Sequence, residues 1–452
     1  MCGGRLFSGI LFYSVPIIIS SVLQLFFNAA DTIIVGRWSG KTALAAVGST
    51  GSLINLIINL FIGLSIGVNV AVAQHLGAKR YKEASEAVHT SIALGVISGV
   101  IVAAAGMVFA PGLLRLMGTP EDVIGEAILY TRIYFFGAPF LMIYNFGAAV
   151  LRADGDTKRP LYFLTAAGAV NVILNLIFVI VFKMGVAGVA LATVISQFIS
   201  CVLVINCLTR LEDQCRFTPK YMKIYGKNLS NIVKIGLPAG IQNCVFSLSN
   251  MLIQSGINSF GSSVMAGDAA ASNLLGFVYV SMISVAQAAL TFTGQNVGAK
   301  NYRRTGKICA VSSLISAVVG IITGGTILLF AEPLLRIYTS DASAVEAGKI
   351  RLLVIGLTYF LCGIMECICS GIRGYGKSFV PMAVSMIGVC GMRMIWIYTV
   401  FASYHTLFVL YSSYPISWIL TTSAHLICFI VICKRHLRLG GAEKERTAET
   451  VG

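Results

Sequence analysis

Polar positions along this chain come in short clusters, separated by apolar runs long enough to cross a bilayer. A membrane-spanning helix needs about 20 apolar residues. Twelve such runs are centred near residues 22, 58, 98, 140, 172, 197, 245, 280, 318, 360, 390 and 420. The pattern then repeats. Gln74, Gly77, Ala78, Lys79 and Tyr81 return as Gln295, Gly298, Ala299, Lys300 and Tyr302, 221 positions later. The same offset carries Leu114 onto Leu335, Arg152 onto Arg373, Gly155 onto Gly376 and Pro160 onto Pro381. An offset of 222 carries Pro16 and Asn28 onto Pro238 and Asn250. Two homologous halves in an apolar chain are the pattern of a secondary transporter, with a substrate site near the membrane midplane.

The expected fold is all-α and integral to the membrane, with twelve transmembrane helices in two pseudo-symmetric six-helix bundles. An even number of helices per half makes the repeat parallel, about an axis along the membrane normal, with a V-shaped central cleft. The expected boundaries are an N-terminal bundle over 1–208, a polar, basic linker over 209–228, a C-terminal bundle over 229–433 and a charged tail over 434–452 that frays. Thr119, Pro120, Glu121 and Asp122 read as cap, first-turn proline and first-turn acids at the start of the fourth span. Gly63 with Gly67, and Gly95 with Gly99, have the spacing that lets membrane helices approach closely.

Composition agrees with this reading. The chain is 57% hydrophobic and 11% charged, against about 25% charged in soluble proteins. Its net charge of +15 would fit nucleic acid if it formed a face. Instead 23 of the 33 Lys and Arg fall at the N-terminus, in alternate loops and in the tail. That bias places both termini in the cytoplasm and leaves no basic face for nucleic acid. No charged leader with a cleavage site is visible, so the first helix is expected to direct insertion. The 12 Cys lack metal-ligand spacing and are expected to be free thiols.

Three acids fall within the predicted spans: Asp31, Asp268 and Glu366. An ionisable group in the membrane is a functional candidate by default. Asp31 stands out because Ser20, Gln24, Asn28 and Asp31, spaced by 4, 4 and 3, share one helical face. Pro16 begins that face and can free a backbone carbonyl as a hinge. Such a stripe can hold a cation or a proton; the alternative is an Asp that caps a backbone group. The second half keeps Asn243, Ser247, Asn250 and Gln254 but has Ile253 opposite Asp31. The asymmetry puts ion coupling in the first half. Asn171 and Asn175 lie one turn apart as partners, with Thr193, Ser196 and Gln197 able to complete the site; ordinary interhelical hydrogen bonds are the alternative. Glu366 and Arg393 are expected to pair, and Asp268 to face external water.

Residues 371–378 match the phosphate-loop pattern G-x-x-x-x-G-K-[ST]. That loop needs a preceding strand and a following soluble helix, whereas here it joins two membrane helices. No nucleotide is therefore expected, and the scattered His form no catalytic cluster.

The stretch from Pro16 to Gly36, the loop from Leu151 to Pro160 and the run from Gly185 to Thr193 together resemble the multidrug and toxic compound extrusion (MATE) family, across essentially all twelve spans. The resemblance implies a proton- or sodium-coupled antiporter of the bacterial inner membrane. It would export amphipathic, often cationic compounds by alternating access, as a monomer without cofactor. The cation pocket would comprise Asp31, Asn28, Asn171, Asn175 and Thr193. Many relatives have Asp where this chain has Asn175, which weakens sodium binding and favours a proton cycle at Asp31. Candidates to line a substrate pocket are Gln24, Phe140, Met142, Tyr144, Met251 and Gln254. The competing reading is a flippase for a lipid-linked substrate on the same superfamily fold. It would call for a more cationic cavity than Arg393 and Lys234 provide.

Overall fold

The computed structural model describes residues 1–449 and is helical throughout, with no strand among those residues. The first half comprises α1 (Leu6–Trp38), α2 (Gly40–Gly77), α3 (Tyr81–Leu116), α4 (Glu121–Phe136), α5 (Ala138–Asp154), α6 (Lys158–Asn175) and α7 (Gly185–Arg210). The second comprises α8 (Gly226–Asn258), α9 (Ser262–Gly298), α10 (Tyr302–Leu329), α11 (Ala331–Arg336), α12 (Ala342–Arg351), α13 (Leu357–Gly374), α14 (Phe379–Ser385), α15 (Met392–Trp396) and α16 (Leu407–Glu449). Among the described residues eleven helical stretches are long and apolar enough to span a bilayer, and α4 with α5, bent by 45°, makes a twelfth. Pro139, in the first turn of α5, cannot donate to the preceding turn, which accounts for the bend. α4 begins at Glu121 with Pro120 as its cap, one residue later than the acidic start signal implies. α16 continues through the charged tail to Glu449; residues 450–452 lie outside the described residues.

The repeat is visible in irregularities as well as in helix lengths. The last turn of α6 widens into a π-helix over Leu176–Val181, and its counterpart in the second half widens over Ile397–Phe401. Such π segments recur at functional sites because they displace side chains from the regular helical register.

The helices group into two compact units. One contains residues 1–18, 77–79 and 241–449. The other contains residues 19–76 and 80–240. α1 and α8 each contribute to both units, and each changes unit two residues after its proline, Pro16 or Pro238. In the second unit the start of α8 is packed on α2 with no space between the backbones. A methyl group at Gly63 would lie 2.2 Å from Gly240 N, one at Gly67 2.2 Å from Ile232 O, and one at Gly240 2.3 Å from Leu60 O. Gly99 of α3 approaches Pro139 of α5 as closely, at 2.4 Å from its Cα. Lipid tails are as apolar as Leu, so it is this close van der Waals contact that holds membrane helices together. In the first unit Ile10, Tyr13 and Ile17 of α1 pack with Val285 and Phe292 of α9, and the Tyr13 hydroxyl and Thr291 Oγ1 share a hydrogen bond of 2.9 Å.

The linker is tied down. Phe217 is buried against the His89 ring, and Thr218 N–H donates to His89 Nε2 at 3.2 Å. Tyr225 N–H donates to Thr90 Oγ1 at 3.1 Å, and His75 Nε2–H donates to Asn228 Oδ1 at 3.1 Å. None of the 12 cysteines forms a disulfide.

Gly240→Val is expected to destabilise the protein by at least about 2 kcal/mol through overpacking against backbone. Gly48→Ala, where a methyl meets nothing within 4 Å, is expected to be neutral or stabilising by up to about 1 kcal/mol. Thermal unfolding in detergent compares the two; equal midpoints would contradict the packing described.

Candidate transport site

In the unit formed by residues 19–76 and 80–240, Asp31 of α1 faces the end of α6. Asn175 Nδ2 donates to Asp31 Oδ1 at 2.5 Å and to Asn171 Oδ1 at 3.2 Å. Asn171 Nδ2 reaches Thr193 Oγ1 of α7 at 3.5 Å, and Thr193 donates to Val189 O within its own helix. The register explains the convergence. Asn171 and Asn175 are one turn apart on α6, and α6 ends at Asn175 where the π segment begins. Asn171 and Asn175 are both buried. Two acceptors in this neighbourhood, Asn175 Oδ1 and Gln197 Oε1, are buried with no hydrogen-bond partner among the described residues. Buried oxygens are normally satisfied, so an arrangement of one carboxylate and spare amide oxygens is disposed to accept a proton or a small cation. Tyr130 and Tyr134 of α4 stand close enough for the Asp31 charge to act on them; their aromatic positions on an apolar helix gave no sign of this in the sequence.

The other first-half candidates are distributed differently. Gln24 and Asn28 are exposed, and the Asn28 carbonyl accepts from Thr32. Phe140 packs edge-on against Phe198. Met142 is 1% exposed within the hydrophobic core, and Tyr144 is buried with its hydroxyl donating to Pro160 O at 3.1 Å. Met142 and Tyr144 therefore serve packing, in contrast to the pocket-lining role expected of them. In the other unit Met251 is exposed, and Gln254 is also exposed, with Nε2 donating to Asn258 Oδ1 at 3.1 Å.

The unit formed by residues 1–18, 77–79 and 241–449 corrects two expectations. Asp268 is buried, not open to water: it forms an ion pair with Arg351 of α12 and accepts from the Tyr411 hydroxyl at 2.8 Å. Arg351 also donates to Ser272 Oγ at 3.1 Å. Arg393 does not pair with Glu366. Its guanidinium lies 4.1 Å from the centre of the Tyr414 ring and donates to Asn250 Oδ1 at 3.2 Å and Ser417 Oγ at 3.3 Å. A desolvated cation–π contact of this kind stabilises by about 2 kcal/mol. Buried Glu366 makes no ion pair among the described residues; Arg373 lies seven residues on along the same helix. Arg373 is itself buried and donates to Gln242 Oε1 at 2.9 Å. The phosphate-loop-like stretch is thus the end of α13 and a turn in which Gly376 takes φ +77°, a conformation that favours glycine. The sequence reading missed Arg351. The available signal was a basic residue, two after Lys349, at the start of an apolar run.

Comparison with known proteins agrees with the repeat. The profile of the MatE family matches the chain twice, over residues 16–177 and 238–399. This chain belongs to the MatE family. The family consists of membrane transporters, which makes the chain a multi-pass membrane protein and not an enzyme. Among its relatives are a probable multidrug resistance protein, YoeA, of Bacillus subtilis, 28% identical with 84% of each chain covered, and a probable multidrug resistance protein, NorM, of Thermotoga maritima, 26% identical with 84% of this chain and 82% of that one covered. The outward-facing structure of a multidrug resistance MATE family transporter superposes with a TM-score of 0.90 at 22% identity, covering 97% of this chain and 98% of that one. At that identity the likeness shows the fold: the twelve-helix arrangement of MATE transporters.

In this MatE protein the Asp268–Arg351 pair is expected to be structural. Arg351→Met leaves a buried carboxylate without its cation, which typically costs about 3–5 kcal/mol. A marked fall in the thermal midpoint is expected; an unchanged midpoint would show that Asp268 does not depend on Arg351.

Proposed function

We propose that this MatE protein is a cation-coupled antiporter that exports amphipathic, often cationic compounds by alternating access, with Asp31 as the coupling group. One observation carries the reading: a carboxylate inside an apolar helical unit is met by the Asn175 amide, itself bonded to Asn171, and by no basic side chain among the described residues. A buried acid paired with Arg or Lys would be locked in its charged form. Asp31 is left able to change state. The multidrug resistance names of the relatives support the substrate class, and the basic loops support cytoplasmic termini.

The Asn175 amide gives the change of state a local mechanism. It presents its Nδ2 donor to Asp31, the arrangement that suits an ionised carboxylate. A protonated Asp31 becomes a donor and is better met by Asn175 Oδ1, the oxygen that lacks a partner. Rotation of the amide by half a turn would then accompany protonation. For Na+ the available ligands are the Asp31 carboxylate, Asn175 Oδ1 and Thr193 Oγ1, with a single negative charge between them. Hard cations favour several oxygen ligands and gain affinity with ligand charge, so the set is better suited to H+ than to Na+. A cation can drive export only by binding the two access states with different affinity. The hinge assigned to Pro16 would let α1 carry that difference.

Asp31→Asn is expected to abolish resistance to cationic drugs in cells, at least tenfold, while surface expression and thermal midpoint stay near wild type. Retained resistance would remove Asp31 from the mechanism. Asn175→Asp adds a second carboxylate, and sodium-dependent efflux is expected to increase relative to wild type. No response to sodium in that variant would show that α6 does not contribute ligands.

A further inference from the structure

On the side of the membrane where α6 begins and α7 ends, a groove of about 300 Å³ is lined by Arg159, Phe163, Cys207, Arg210 and Leu211. Its residues come from adjacent turns of two neighbouring helices. Arg159 and Phe163 are one turn apart on α6, and Cys207 and Arg210 one turn apart on α7. One end is cationic and the rest is apolar. Arg159 is 49% exposed; its Nε meets Asp156 Oδ2 at 3.2 Å and its Nη1 reaches Cys207 Sγ at 3.7 Å. Nη2 makes no hydrogen bond among the described residues. Arg210 is exposed at the last turn of α7 and has no carboxylate or hydrogen-bond partner among the described residues. The antiporter site uses neither arginine.

We infer that this groove binds the phosphate headgroup of an anionic phospholipid, with Arg159 and Arg210 on the phosphate and an acyl chain running past Phe163 and Leu211. Guanidinium groups match phosphate oxygens in geometry and charge. Basic pockets between transmembrane helices at the membrane surface are the usual form of anionic lipid sites. A lipid fits better than free phosphate because Phe163 and Leu211 line the groove beside the two arginines. That apolar wall can be used only by a chain attached to the headgroup. Asp156 holds one edge of Arg159 and leaves the other for the ligand, so the acid orients the guanidinium without filling its binding capacity. Under the proposed topology this is the cytoplasmic leaflet; binding itself does not depend on that assignment.

The test uses the full-length protein in nanodiscs of phosphatidylcholine alone or with one-fifth phosphatidylglycerol, with retained lipid counted by native mass spectrometry. Wild type is expected to retain phosphatidylglycerol, and Arg159→Gln/Arg210→Gln to bind it about thirty-fold more weakly, from roughly 1 kcal/mol per surface arginine. Arg216→Gln/Lys220→Gln removes the same charge from the linker and is expected to retain the lipid as wild type does. Both arginines of the groove are exposed, and an unchanged thermal midpoint in phosphatidylcholine confirms folding of the variant. Equal retention by wild type and the groove variant would overturn the proposal, as would equal loss in the linker variant, which indicates attraction by overall charge. Displacement of the lipid by millimolar inorganic phosphate would identify the ligand as a free anion.

Discussion

A carboxylate inside a membrane has to be solvated by the protein, and the first half of this structure is arranged around that constraint. Asp31 is met by the Asn175 amide, which is itself tied to Asn171. Asn175, Asn171 and Thr193 form a chain from α6 to α7, and the chain ends on an ordinary helical carbonyl. Neutral partners stabilise the ion less than an Arg would, and that is why the group can change protonation or exchange a cation. The second half handles its buried charges differently. Asp268 has Arg351, and Arg393 has an aromatic face and two neutral acceptors. The two halves share a fold and differ in how these charges are met.

That division assigns different work to equivalent helices. α1 and α8 are both interrupted by proline and both contribute to two compact units. Only α1 carries an acid beyond its proline. The start of α8 is fixed to α2 by glycine contacts that leave no room for a methyl group. The linker before it is held by His75, His89 and Thr90. Close packing of this sort is stiff, since interior gaps cannot be redistributed without loss of contact. Motion in the second unit is therefore expected at α1 sooner than at the beginning of α8.

Much of this was legible in the sequence because it depends on local patterns. Span number follows from the length of apolar runs, and the repeat from Gln74 through Tyr81 reappearing at Gln295 through Tyr302. The polar stripe of α1 could be read from spacing alone. Its partners on α6 and α7 could be listed, but only packing brings Asn175 to Asp31 across 144 positions of chain. The errors share that origin. Asp268 looked solvent-facing because its cation is 83 positions away and its hydroxyl donor 143. Glu366 and Arg393 were matched by charge, whereas Arg393 is held by Tyr414, Asn250 and Ser417, residues with no charge to announce them. Met142 and Tyr144 resemble pocket-lining residues in type and are buried in the core. Residue type states which chemistry is possible, and the fold decides which side chain is in reach.

The central claim is that export is driven by a cation acting at Asp31. The most direct measurement is efflux of a cationic dye from proteoliposomes, wild type beside Asp31→Asn, under an imposed proton gradient and separately under an imposed sodium gradient. Gradient-driven efflux is expected from wild type, stronger with protons than with sodium, and absent from the mutant. Equal efflux from both proteins, or none from wild type with any of a broad panel of cations, would contradict the account. The latter result would direct attention to lipid-linked substrates.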